Sequence, residues 1–416
     1  MTKKTKTTMR VDAYILGTLV LAILSGCAKI EQREAEAVQL SWQVIQDGPT
    51  KAAAAAQSAK AVSANSTKAS TATPATKASA YNTSDTFLSW AWYLPDGMSW
   101  SKNNKDAKRY IGAEKDGATI GYVSSKNAWK NVVKDGTNWK EGVSYYWPKA
   151  GRLSFFAASP SSLGSAISCT AEDGIKITDW DVNANQDTDI MVADLITDQS
   201  GNTSSTGGWL TGVPTVFRHK LSMLIGFNFN TFKDYENGHD GSTGKKYTQS
   251  DITYLVTKIE ITGYPQQGTF IVNAPAAGSI GQWNVAASSP KYDYTWYNND
   301  SGLRIPYQSS GATAVEANSL AGGKTYLYLL PQQFTSEDAK LKITYIKRTY
   351  NKKGSVNSNG KTTAEVSLKD LFAASGNRLV MNRKITVNIT FNNDSNLIFW
   401  APDQSEWGSG EFDIYV

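Results

Sequence analysis

From Tyr81 onward the chain is a succession of short apolar or alternating runs, separated by clusters of Gly, Asn, Asp, Ser and Pro. One series reads Phe87 to Leu94, Ala118 to Val123, Val143 to Trp147, Leu153 to Ala158, Ile175 to Thr178 and Asp189 to Ala193. A second follows the Gly207-Gly208 break: Val216 to Phe229, Tyr254 to Ile261, Thr269 to Val272, Lys324 to Leu329, Leu341 to Tyr345, Thr363 to Ser367, Lys384 to Phe391 and Asn396 to Trp400. Most of these runs are too short for stable helices, and a period of two places every second side chain on one face, so they predict strands. The 20 Tyr, 13 Trp and 13 Phe suit half-buried pleated surfaces, and the 33 Gly suit turns. The expectation is an all-β chain of β-sandwiches, with one helix at Ser367 to Ala374, where Leu368, Leu371 and Phe372 have helical spacing.

The first 26 residues have another organisation: a basic start (Lys3, Lys4, Lys6, Arg10), an apolar run from Tyr14 to Leu24, then Ser25 and Gly26. This is the layout of an export signal. The run is shorter than the roughly 20 apolar residues of a membrane span. Leu24-Ser25-Gly26-Cys27 resembles the lipobox of bacterial lipoproteins, which implies acylation of Cys27 and attachment to the outer membrane through lipid. Only Cys169 remains as a second cysteine, so an acylated chain has no intrachain disulfide and is held together by burial alone. The whole chain carries +5, of which the first 26 residues supply +3, and the nearly neutral remainder implies no nucleic-acid partner.

Between this signal and the body lies a single strand pattern. In Val38-Gln39-Leu40-Ser41-Trp42-Gln43-Val44 large apolar residues alternate strictly with polar ones. After it, from Gln46 to about Ala80, Ala, Ser, Thr and Lys dominate, with Val62 as the one large apolar residue. Such composition cannot bury enough surface to offset its ordering entropy, which predicts a flexible linker. The expected organisation is therefore a signal (1–26), a lipid-anchored tether with an isolated strand and linker (27–80), a first sandwich (81–212) and a second (213–416), with the boundary near Thr211 to Thr215.

Asp189-Ile190-Met191-Val192-Ala193, followed by Val216-Phe217-Arg218-His219-Lys220-Leu221-Ser222-Met223-Leu224, resembles the fimbrillins of Bacteroidales. Tyr145 to Pro148, Leu153 to Pro160, Tyr328 to Gln332, Met381 to Phe391 and Ile398 to Trp407 extend the likeness in order. The resemblance implies two tandem transthyretin-like Greek-key β-sandwich domains and a structural or adhesive subunit of a surface fimbria, with other pilin subunits as partners, no catalytic role and no cofactor. It further implies assembly by donor-strand exchange: a protease removes an N-terminal strand after a basic residue, and a neighbouring subunit's strand fills the vacated groove. On that reading Val38, Leu40, Trp42 and Val44 fill the groove until the linker is cut. The linker departs from the family's usual arginine, so Lys77-Ala78, nearest the first body strand, is the candidate processing site among Lys51, Lys60, Lys68 and Lys77. Shaft, anchor, cap and tip roles all remain open, as does the ligand.

Other chemistry is sparse. His219 lies within a strand pattern and reads as a packing or hydrogen-bonding residue, and His239 as part of a turn. Asp181, Asn183, Asn185 and Asp187 alternate as oxygen ligands of Ca²⁺ do, but a turn explains them more simply, and no metal site is assigned. Cys169 has no nucleophile context. A rival function is a non-polymerising glycan-binding lipoprotein, with Trp90, Trp92, Trp100, Trp129 and Trp139 as stacking residues.

Overall fold

The structure is a computed structural model that describes residues 40, 42–46, 85–115, 117–123, 138–140, 145–200, 213–231, 252–272, 276, 278–305, 315–316, 326–350, 356–358, 360–391 and 397–407. Strands dominate it, as the apolar periodicity predicts.

The largest sheet has nine strands, numbered along the chain: β1 (Trp42–Gln46), β2 (Thr86–Leu94), β3 (Lys108–Ile111), β4 (Ala118–Val123), β5 (Asn138–Lys140), β6 (Arg152–Ser159), β9 (Met191–Ala193), β10 (Ile196–Gln199) and β11 (Val213–His219). Its hydrogen-bonded path is circular: β2 pairs with β6, β6 with β9, β9 with β11, β11 with β1, β1 with β5, β5 with β4, and β4 with β2. Closure of this kind removes the bare edges of an open sheet. Inside the ring, Phe87 and Ala91 share a core with Ala118, Ile120, Leu153, Phe155, Met191 and Phe217. Phe87 and Phe217 lie on strands that are not paired with each other, yet their rings meet edge to face at 5.2 Å. The alternate residues of β2, Leu88, Trp90, Trp92 and Leu94, belong to a second core on the other face.

That outer face is covered by a four-stranded sheet of β7 (Ile167–Thr170), β8 (Gly174–Asp181), β14 (Gln267–Ile271) and β15 (Gln282–Asn284). Ile167, Cys169, Ile175, Ile177 and Phe270 pack in the same core as Trp90 and Phe156. The sheet joins two hairpins distant in sequence, through the antiparallel pairing of β14 with β8.

The remaining strands form a sandwich. One sheet holds β12 (Ser222–Thr231), β17 (Val315–Glu316), β18 (Leu327–Leu329), β24 (Arg383–Phe391), β25 (Leu397–Phe399) and β26 (Asp403–Glu406). The other holds β13 (Ile252–Pro265), β16 (Lys291–Ile305), β20 (Lys340–Tyr350), β21 (Val356–Ser358) and β22 (Thr362–Ser367). Phe227 meets Trp296 across them at 5.4 Å, and Tyr254 stacks on Phe391 at 4.2 Å. A short pair, β19 (Gln332–Gln333) with β23 (Arg378–Leu379), lies beside this sandwich.

Several boundaries differ from the sequence reading. The run from Val216 to Phe229 is two strands, because the Lys220 N–H donates to the Ile190 carbonyl at 2.7 Å and turns the chain from one sheet into the next. The sheets therefore change at Lys220 rather than near Thr211 to Thr215, and β11 completes the ring through its pairing with β9 and β1. β16 gave no sequence signal, since most of its outward residues are polar and its pairing with β13 is interrupted by bulges. The helix expected at Ser367 to Ala374 is shorter: α2 (Leu368–Leu371) starts at Ser367, whose side chain accepts from the Asp370 N–H, and continues as a 3₁₀ turn at Ala373–Ser375. A second helical turn, α1 (Trp100–Asn103), has no counterpart in the sequence reading. No helix among the described residues is long and apolar enough to cross a membrane.

Candidate functional site: the strand that closes the ring

β1 stands apart from every other strand of the ring, because those lie between residues 86 and 219. It runs parallel to β11, with Trp42 opposite Val213 and Gln46 opposite Phe217. On its other side it pairs antiparallel with β5, Trp42 opposite Trp139. One strand thus bridges two that have no other shared partner in the ring. Just before it, the Leu40 N–H donates to the Tyr145 carbonyl at 2.8 Å. The Leu40 side chain is 2 % exposed and belongs to the interior core with Phe87, Trp147 and Val213.

Among the described residues the strand's pairing with β11 runs from Trp42 to Gln46, two residues past the Val44 at which the alternation ends. Of the proposed groove fillers, Leu40 is buried in the ring, and Trp42 and Val44 lie within the paired backbone of β1. Val38, Cys27, Lys77 and Ala78 lie outside the described residues. β5, which flanks the strand, carried no usable signal, being three residues long.

The wall facing β1 is ordered by polar contacts. Arg218 on β11 makes a two-pronged ion pair with Asp194, Nε to Oδ1 at 2.8 Å and an Nη to Oδ2 at 2.9 Å. His219, at the end of β11, is buried, its Nδ1 is 2.6 Å from Asp189 Oδ2, and its ring stacks on Trp407 at 4.0 Å. Its environment is that of a packed, hydrogen-bonded core residue. His239 lies outside the described residues.

Three of the five aromatic residues of the rival reading are not on the surface. Trp90, Trp92 and Trp100 are all buried, and Trp90 Nε1 donates to the Ala113 carbonyl at 2.7 Å. The reason is that β2 is covered on both faces, so an alternating run is buried throughout. Trp129 lies outside the described residues, and only the backbone of Trp139 is described. The Asp181 to Asp187 segment is a turn: Asp181 Oδ1 accepts from the Ala184 N–H at 3.0 Å, Asn185 Nδ2 donates to the Asp181 carbonyl at 2.7 Å, and Asp181 Oδ2 accepts from Gln266 Nε2, between β13 and β14, at 3.1 Å. Among the described residues no three His, Cys, Asp or Glu side chains gather as a metal site would require. Cys169 is fully buried, and burial pushes its thiol pKa well up, away from the reactive thiolate.

Comparison with known proteins gives one family match. The fimbrillin-like family model aligns with residues 110–402. A search of curated protein sequences returns no match. Among solved structures, a fimbrial protein from Bacteroides vulgatus is 18% identical, with 77% of this chain and 92% of that chain covered and a TM-score of 0.44. A cell adhesion protein from Parabacteroides distasonis is 12% identical over 91% of this chain and 99% of its own, also at 0.44. A second such protein from the same organism is 9% identical over 78% and 94%, at 0.41. Since the family model spans most of the sequence, this chain belongs to the fimbrillin-like family.

Proposed function

We propose that this chain is a structural or adhesive subunit of a cell-surface fimbria, and not an enzyme. It is exported as a lipoprotein, acylated at Cys27, held at the outer membrane and assembled by strand exchange after proteolysis. The observation that carries this reading is β1: a strand from before residue 47 sits between β5 and β11 in a ring otherwise built from residues 86 to 219. A cut anywhere between Gln46 and Thr86, with Lys77-Ala78 as the candidate, separates β1 from the ring covalently while leaving it bound by backbone pairing.

Removing β1 leaves β11 and β5 with unpaired backbone groups and uncovers the core around Leu40. Fully burying one side chain of that size contributes about 1.5–3 kcal/mol. An exposed strand edge is a template for another chain, with main-chain bonds supplying affinity and alternate side chains supplying specificity. Donor chemistry also exists elsewhere in this sequence. Phe412, Ile414 and Val416 alternate with Glu411, Asp413 and Tyr415 in the same period as Leu40, Trp42 and Val44. In this reading the partners are other pilin subunits, and each groove is filled by an alternating segment of a neighbour.

The test is limited proteolysis of the full chain, with the cut mapped by mass spectrometry and the product sized. Cleavage between residues 47 and 85 followed by ladders of detergent-stable multimers is the expected result. A nicked chain that stays monomeric at high concentration, even after its N-terminal fragment is removed, excludes the exchange mechanism.

A further inference from the structure

The six-stranded sheet turns one face into the sandwich and the other outward. On β24, Ile385, Val387, Ile389 and Phe391 are buried, while Lys384, Thr386, Asn388 and Thr390 are half-buried on the opposite face. Parallel register places Asn228 of β12 beside Asn388, and Asn230 beside Thr390. Asn228 Nδ2 donates to Asn388 Oδ1 at 3.1 Å, and Asn388 Nδ2 donates to Asp403 Oδ2 at 2.7 Å. The orientation of the central amide is thereby set, and the row ends in a carboxylate.

Beside this row stands Trp400, 52% exposed and the only exposed tryptophan side chain among the described residues. It is pinned at two points: its backbone N–H donates to the Asn388 carbonyl at 3.1 Å, and its indole Nε1 donates to Thr390 Oγ1 at 2.9 Å. Because the indole N–H is already bonded, what the residue offers is its ring. A rigid aromatic plane beside fixed amide and carboxylate groups matches a sugar, which has an apolar C–H face and a rim of hydroxyls.

We propose that the outer face of the six-stranded sheet is a binding site for a neutral glycan, whose pyranose ring stacks on Trp400 while its hydroxyls bond to Asp403, Asn388 and Asn228. Two observations select this ligand. Asp403 makes no ion pair among the described residues, so its carboxylate is open to accept from neutral hydroxyls and disfavours an acidic group placed directly against it. A protein partner needs roughly 800 Å² per side. Among the described residues the other two exposed large apolar side chains, Ile280 and Tyr292, lie on or beside different sheets, so Trp400 is the exposed aromatic anchor of this face.

One stacked ring with a few hydrogen bonds corresponds to a dissociation constant on the order of 1 mM. Repetition of the site along a fibre raises avidity by roughly 10²–10⁴. Only this gain rests on the proposed assembly; binding itself is a property of the single chain.

The experiment is calorimetric and saturation-transfer titration of the full-length chain with mannotriose, cellotriose and galactotriose, and with sialyllactose as the acidic comparison. At least one neutral trisaccharide should bind saturably. Trp400→Ala should weaken it at least tenfold, Trp400→Phe by less than that, and Asp403→Ala by about threefold to tenfold. Thermal midpoints establish that each variant is folded; should Trp400→Ala fail, Trp400→Phe and Asp403→Ala decide. The proposal is overturned if no neutral trisaccharide binds, if the folded variants bind as the wild type does, or if sialyllactose is preferred. Because the readout is on the monomer, these outcomes are separate from success or failure of fibre assembly.

Discussion

The carboxamide of Gln186 holds both backbone groups of Tyr328: Nε2 donates to the Tyr328 carbonyl at 2.9 Å, and Oε1 accepts from its N–H at 3.0 Å. A side chain from the turn after β8 thus imitates a paired strand along β18, which is otherwise bonded to β12 on its other side. Tyr328 in turn stacks on Trp407, and Trp407 on His219, at 5.6 Å and 4.0 Å. The ring and the sandwich are joined here by specific polar geometry, not only by shared apolar surface. Gln186→Ala removes both bonds and leaves part-buried backbone groups without them, which should lower unfolding stability by about 1–3 kcal/mol. Gln186→Glu keeps the acceptor and loses the donor, and should fall between. Urea unfolding of the two variants measures this, and a midpoint unchanged in both speaks against the latch.

Stability should decline steeply in alkali. Burial pushes the ionisation of Cys169 up from 9.0, and pushes Tyr264, Tyr294 and Tyr328 up from 10.0. In the unfolded chain these groups lose their protons near their ordinary values, while the folded chain retains them. The unfolded state then binds fewer protons, so stability is present in full below about pH 9 and is lost as pH rises beyond it, by roughly 1.4 kcal/mol per unit for each group. Denaturation curves between pH 7 and pH 11 should show this fall, and a flat profile would contradict it.

Tyr294→Phe offers a sharper version. Its hydroxyl is buried without a hydrogen-bond partner among the described residues, and the nearby Asp181 carboxylate adds to the upward push. Removing it should be neutral or stabilising by up to about 1 kcal/mol at pH 7, and should make the alkaline decline shallower. A loss of more than about 1 kcal/mol means that the hydroxyl has an essential bond.

Leu40 tests the closing strand. Leu40→Ala removes a side chain that is 2 % exposed in the ring core and should cost about 2–5 kcal/mol of β1 docking. The expected consequence is faster release of the N-terminal segment after nicking and earlier appearance of multimers, followed by gel electrophoresis over time. Multimers that form at the wild-type rate argue that β1 departure is not the controlling event.

Gly151 should not accept a side chain. Its φ is +81°, and a Cβ there would lie 2.5 Å from the Leu94 carbonyl oxygen, while its N–H donates to Asp96 Oδ1 at 3.0 Å. Gly151→Ala is expected to cost about 2 kcal/mol or more, measured by thermal or chemical unfolding. A negligible change shows that the turn before β6 relaxes freely.

The apolar periodicity alone determined that this chain is made of strands, where most of them lie, and that one strand pattern near the N-terminus is detached from the rest. The segments that carry the fimbrillin likeness were legible for the same reason: Met191 to Ala193 and Val216 to His219 are neighbouring strands whose alternation reports a buried face. What alternation does not report is which surface covers each face. Trp90 and Trp92 alternate as a half-exposed strand would, yet the hairpins of β8 and β14 cover them, and the partner that covers them comes from residues about 90 to 180 positions away. Trp400, in a run of similar apolar character, remains in solvent. Pairing depends on long-range geometry as well as local pattern, so the circular path, the place of β1 between β5 and β11, and the joint at Gln186 and Tyr328 were decided by tertiary structure. Local preference costs fractions of a kcal/mol per residue, whereas closing a core around Leu40, Phe87 and Phe217 is worth several, so burial of that core chooses the partners.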